Sequence, residues 1–269
     1  MDCCINGRLN AVSIMPNSPY LAECMELLWP YQGRLKTVVH LNFFEGHCLC
    51  PPEQVPHLAD ARGIFTCSFG KLLLAGFSFR RKEYGQQLRE EIRAQIHEVQ
   101  QYLTPGTPLR IDGHAHWHML PVVFDSLIQV LQEEKLAVEY IRFPDEKLSL
   151  YLRNRGKLSS FKLINLVKAV VLKVLVVRNR RKYRRDLAPM EDRLFLGVAL
   201  SGNMTLQNMR AILPDAIQEA EEKGRGIELL AHPGGVYLPE DIAQLTHPDD
   251  VKFLTSEARR KEKEMFCGL

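Results

Sequence analysis

A chain of 269 residues is long enough to bury a sizeable core, and 46% hydrophobic with 25% charged residues excludes a largely disordered polypeptide. The net charge of +3 hides an asymmetry: residues 153–185 carry 12 Lys/Arg and no Asp/Glu, leaving 23 basic against 32 acidic residues elsewhere. The body is therefore acidic; length alone does not separate one α/β barrel from two smaller domains, and one domain over 1–269 is the default expectation.

Short apolar or β-branched runs alternate with helix-period segments, the pattern of parallel strands joined by crossover helices. The first predicted strand, 10–15, is followed by Ser18-Pro19, which reads as an N-cap and first helical residue, with Leu21, Cys24, Met25 and Leu28 as the buried stripe. The second strand is 36–42, and 43–80 reads as a long excursion of the kind that covers active sites. Leu88, Ile92, Ile96, Val99 and Leu103 recur at three- and four-residue steps, predicting a helix that Thr104-Pro105-Gly106 stops. Strands at 109–116, 138–143, 194–200 and 227–232 complete a set of six, with helices at 121–136 and 205–223; Pro214 is expected to kink or divide the latter.

Seven cysteines, odd in number and irregularly spaced, together with a first decapeptide lacking a secretory apolar stretch, fit a reducing cytoplasm. Cys48 and Cys50 have no second Cys/His pair at structural-zinc spacing and read as free thiols.

The chemistry concentrates in Asp112-Gly113-His114-Ala115-His116-Trp117-His118, at the end of a predicted strand. If the strand continues, side chains two apart share a face, so Asp112, His114, His116 and His118 point one way. Burying so many titratable groups without a ligand or cleft costs several kcal/mol, which favours a metal or a polar substrate over separately bonded histidines. His40 and His232 stand near the ends of two further predicted strands, where parallel α/β folds face their ligands.

The segments GRLNAVSIMPNSP, VVHLNFFEG, LREEIRAQI, LRIDGHAHWHMLP, YIRFP, FLGVALSG and IELLAHPGG resemble, in order, those of the YdjC-like carbohydrate deacetylases, which include the chitooligosaccharide deacetylases. The resemblance implies a single deacetylase domain, a distorted (β/α) barrel of parallel strands, and one divalent ion, Mg2+ or Zn2+, held by an aspartate and two histidines. By position the metal histidines are His40 and His114. His232 is the counterpart of the proton donor to the leaving amine, and His116, His118, Arg142 and Glu45 line the sugar site. Family members open with a strand ending in Ala-Asp-Asp-Phe-Gly, which supplies the remaining ligand and the general base. This sequence begins after that strand, so the first strand is expected to be missing, and Asp112 is the carboxylate left for a catalytic role, best placed to orient a histidine.

The implied function is metal-dependent removal of N-acetyl groups from a sugar or oligosaccharide. A rival is a catalytically inactive homologue that binds carbohydrate or metal; an amidohydrolase-type barrel ranks last, because those enzymes place His-x-His on their first strand.

The apolar stretch 161–177 is short for a membrane span and interrupted by Lys162, Lys168 and Lys173, and a basic run follows it to Arg185. Residues 153–186 thus read as a basic helical insertion packed on the barrel. Weak contact of 161–185 with an anionic membrane surface or an acidic glycan comes next, and nucleic acid is not expected. A homodimer is a further expectation.

Overall fold

All six predicted strands form, each within a residue or two of its expected start and each ending earlier than its apolar run: β1 (Ala11–Ile14), β2 (Lys36–Leu41), β3 (Leu109–Gly113), β4 (Val138–Ile141), β5 (Arg193–Leu196) and β6 (Gly226–Leu229). The structure is a computed structural model that describes residues 2–5, 9–159, 162–236, 238–243 and 248–269. Every strand pair in it is parallel, in two sheets of order β1-β2-β3-β4 and β5-β6. Parallel pairing needs crossovers, and helices supply them.

The helices are α1 (Asp2–Ile5), α2 (Leu21–Leu28), α3 (Phe69–Ala75), α4 (Arg81–Gln100), α5 (Pro121–Glu133), α6 (Leu148–Arg153), α7 (Leu163–Lys182), α8 (Arg184–Leu187), α9 (Leu206–Glu222), α10 (Pro239–Ile242), α11 (Pro248–Leu254) and α12 (Glu257–Gly268). Three sequence expectations need correction. Helix α2 starts two residues past Pro19, because the Ser18 hydroxyl and carbonyl serve a tight turn, accepting from the Tyr20 and Leu21 N–H groups. Cys24 faces solvent, and Leu21 with Met25 carries the buried stripe. Pro214 does not divide α9, which Thr205 caps by accepting from the Asn208 N–H.

The chain divides into two compact units, one of Ala11–Phe143 with Val174–Glu191, the other of Met1–Asn10 with Pro144–Lys173 and Asp192–Leu269. In the first, α4 and α5 lie against each other: Leu88, Ile92, Ile96 and Val99 of α4 and Val123, Phe124, Leu127 and Val130 of α5 are fully buried. The two helices are also tied by the Ser126 hydroxyl, which donates to the Gly85 carbonyl at 3.2 Å. Residues 43–80 form no named strand and are held by isolated bridges (His47 with Ile64, Ala59 with Phe65), a 3-10 turn and α3.

In the second unit Leu194 and Leu196 pack with Leu150, Tyr151, Met209, Ile212, Ala216, Met265 and Phe266. The buried Glu146 carboxylate ties off the segment after β5, accepting from the Val198 and Ala199 N–H groups at 2.9 and 2.6 Å and from the Tyr151 hydroxyl at 2.8 Å. The seven cysteines form no disulfide, and no described helix is long and apolar enough to cross a membrane.

Candidate functional site

Register builds the heart of the site. His40 of β2 and Asp112 of β3 are paired across the parallel ladder, so their side chains leave the sheet together near the carboxyl ends of the strands. His40 Nδ1 lies 2.5 Å from Asp112 Oδ1, and the Ser13 hydroxyl of β1 donates to Asp112 Oδ2 at 2.7 Å. The Arg142 guanidinium, just past β4, bonds the same Oδ2. Burial would raise the fully buried Asp112 carboxyl, but Arg142, His40 and Ser13 together hold it well below the usual carboxylate range. A charged carboxylate beside Nδ1 orients the His40 ring and leaves Nε2 on the side away from Asp112.

The expected four-residue alternation does not occur. β3 stops at Gly113, and His114–Met119 coil into a 3-10 segment in which Ala115 and His116 adopt left-handed φ values of 47° and 62°. The turn sends the histidines apart. His114 Nδ1 goes to His40 Nε2 at 3.2 Å. His118 is fully buried against the bare Cα of Gly113 and bonds the Arg142 carbonyl through Nε2 at 2.9 Å. Burial pushes the His118 imidazole down to about 4, outweighing the raising effect of that carbonyl. His116 is half-buried, and burial, with Arg142 and His118 nearby, holds it below the ordinary histidine range.

Of the residues expected to line a sugar site, His118 and Arg142 are buried; His118 bonds the Arg142 carbonyl, and the Arg142 guanidinium bonds Asp112.

Glu45 stands on the loop after β2, its carboxylate 3.2 Å from His114 Nε2. The loop is clamped from below. The Asn42 backbone N–H donates to Gln95 Oε1 at 2.9 Å while Gln95 Nε2 donates to the Asn42 carbonyl at 2.6 Å. The Asn42 and Asn17 side chains both donate to the Glu45 carbonyl, at 2.6 and 2.8 Å. Phe44 stacks on His114 and Trp117, with ring centroids 4.8 and 4.1 Å away. No role was legible in the sequence for Ser13, Phe44, Gln95 and Trp117, because each of their contacts depends on which strands and loops become neighbours.

A divalent ion fits between the two imidazoles. His40 Nδ1 faces Asp112 and His114 Nε2 faces the Glu45 carboxylate at 3.2 Å, so the ring nitrogens turned toward each other, and left to meet an ion, are His40 Nε2 and His114 Nδ1. Their 3.2 Å separation matches the roughly 3.3 Å expected between nitrogens bound about 2.0–2.1 Å from one tetrahedral ion. Among the described residues no group of three or more His, Cys, Asp or Glu is arranged to hold a metal, so the pair accounts for two positions.

His232 belongs to the second unit, beyond β6. Its backbone N–H donates to Glu262 Oε2 at 2.5 Å, its carbonyl accepts from Arg259 Nη1 at 2.9 Å, and its ring packs edge-on to Phe253 with centroids 6.0 Å apart. The imidazole itself is half exposed. Burial pushes the Glu262 carboxyl up to about 7 against the lowering effect of Arg259, which donates to it at 3.2 Å. Helix α12 thus fixes the backbone of His232, a role invisible before folding because 27 to 30 residues separate the partners.

Parallel strands whose carboxyl ends gather histidines and a buried carboxylate define an α/β protein with its candidate site at the strand ends. The chain belongs to the YdjC-like protein family, whose model matches residues 1–268. It is 27% identical over 268 residues to a carbohydrate deacetylase of Xenopus laevis, covering 93% of this chain and 80% of that protein. A carbohydrate deacetylase of Thermoanaerobacter pseudethanolicus is 29% identical over 150 residues, covering 55% of each chain. Among solved structures, a protein of Enterococcus faecalis V583 described as a cellobiose-phosphate cleavage protein superposes with a TM-score of 0.59 at 16% identity, over 99% of this chain and 87% of that one. It shares the α/β fold expected of the family, with parallel strands joined by helices.

Proposed function

We propose that this protein is a metal-dependent carbohydrate deacetylase that removes the acetyl group from an N-acetylated sugar or oligosaccharide. The carrying observation is the facing pair of imidazole nitrogens, each ring anchored on its far side by a carboxylate. His40 and His114 hold the ion, Mg2+ or Zn2+, which when bound supplies Lewis-acid polarisation of an amide carbonyl and of water. Asp112 orients the His40 ring toward the ion, and Glu45 does the same for His114. Glu45 and His116 keep part of their surface exposed, where a sugar can reach them. His232 gives a proton to the leaving amine nitrogen, a role supported by the family resemblance. We treat the two units as parts of one domain because a single family model spans both.

The test uses purified protein with added Mg2+ or Zn2+, acetate release from N-acetylglucosamine oligomers, and metal content by mass spectrometry. His114→Ala is expected to lose the ion, whereas His232→Ala keeps it and loses roughly 10² or more in turnover. A metal-free His232→Ala protein would overturn the assignment of roles. A second reading, a homologue that binds carbohydrate or metal without turnover, draws on the two-imidazole count among the described residues. Saturable oligomer binding with no acetate release identifies it.

A further inference from the structure

The first unit carries an apolar surface that the deacetylase reading does not use. Between α3 and α4 the chain makes a tight turn, its backbone tied by Phe77 N–H to the Leu74 carbonyl, Ser78 N–H to the Ala75 carbonyl and Arg81 N–H to the Ser78 carbonyl. Phe77 and Phe79, on either side of Ser78, nevertheless project with 78% and 91% of their surface exposed, and Leu74 with 70%. Two exposed phenylalanines on an ordered turn are unusual for a surface facing only water.

Cations surround this tip. Arg80, Arg81 and Lys82 follow Phe79 directly. Arg81 reaches Asp125 of α5 at 2.7 Å, and the same carboxylate accepts from Arg178 at 2.7 Å and Lys182 at 2.9 Å, on the last turns of α7. One buried-edge carboxylate therefore draws the α3–α4 turn and the end of α7 together, and three cations on one anion leave a local positive surplus. The end of α7 adds exposed Val174 and Val177, and exposed Arg181, Arg184 and Arg185 extend the basic rim.

We propose that this face, Leu74, Phe77 and Phe79 with Val174 and Val177, ringed by Arg80, Lys82, Arg181, Arg184 and Arg185, docks on an anionic lipid bilayer. The charge decides between occupants: in a two-fold pairing of this face with itself, like charges meet, whereas an acidic headgroup layer complements the rim and accepts the aromatic tip. The proposal is independent of the deacetylase activity.

Vesicle sedimentation with the full chain tests it. The protein is expected to partition at least about tenfold better onto phosphatidylcholine vesicles containing about 30% phosphatidylserine than onto phosphatidylcholine alone, with the gain mostly lost in about 0.5 M NaCl. Phe77→Ser/Phe79→Ser should weaken binding about tenfold, and Arg184→Glu/Arg185→Glu by a similar factor. The two pairs change different elements, so the question stays decidable if one of them disturbs the fold in circular dichroism. Equal binding to neutral and acidic vesicles, no binding, or full binding by both variants overturns the proposal. So does a dimer in sedimentation velocity that Phe77→Ser/Phe79→Ser dissociates without any vesicle binding, or retention on heparin without vesicle binding.

Discussion

Gly113 is a residue whose smallness the site requires. A Cβ there would fall 2.7 Å from His118 Nδ1 and 2.9 Å from its Cβ, inside normal contact. His118 is fully buried and cannot swing away. Gly113→Ala is therefore expected to lower stability by about 1–3 kcal/mol in urea unfolding, and an unchanged midpoint would mean that the imidazole has room to move. The composition of 112–118 announced a polar cluster, and His40, Asp112 and His114 do meet. The direction of each side chain was not legible. A left-handed turn at Ala115 and His116 uses no glycine, so nothing in the sequence marks the end of strand alternation. The Ser13 hydroxyl reaches Asp112 across 99 residues of sequence, a contact that only strand order creates.

Among elements, the strands were the most legible and the terminal helices the least. β-branched runs fixed where β1 to β6 would lie, because parallel strands buried on both faces are continuous apolar segments. Helix α12 had no counterpart among the predicted elements, yet its Arg259 and Glu262 grip both backbone polar groups of His232. Its buried carboxyl gives α12 a pH signature. Glu262 is raised to about 7, mainly by burial, from an unfolded value near 4.5, so the folded form holds the proton more tightly. That contribution is complete below about pH 4.5 and disappears as pH rises through about 7, on the order of 3 kcal/mol at most. Thermal melts of the wild type at pH 5 and 8, set against Glu262→Gln, should show the wild type losing more stability on going to pH 8. Parallel curves for the two proteins would place the titration elsewhere.

Over the whole molecule the charges are segregated, with one basic band in an otherwise acidic chain. Ion-exchange behaviour should follow the band rather than the net value of +3. Arg184→Glu/Arg185→Glu is expected to leave a cation-exchange column at lower salt than Lys252→Glu/Lys261→Glu, a change of equal charge at exposed sites on other helices. Identical elution would show that the band does not act as a unit. The first unit also has a history written into its connectivity. Asp125 must wait for Arg178, 53 residues further on, and the Met119 carbonyl for Asn179, 60 residues on, which caps it at 2.9 Å. At roughly 5–20 residues per second of synthesis, the outer side of α5 leaves the ribosome about 3–12 s before its partners exist. A nascent chain at that stage presents a carboxylate met by Arg81 alone and an unsatisfied carbonyl beside an apolar helix, the kind of interval in which a chaperone finds its client.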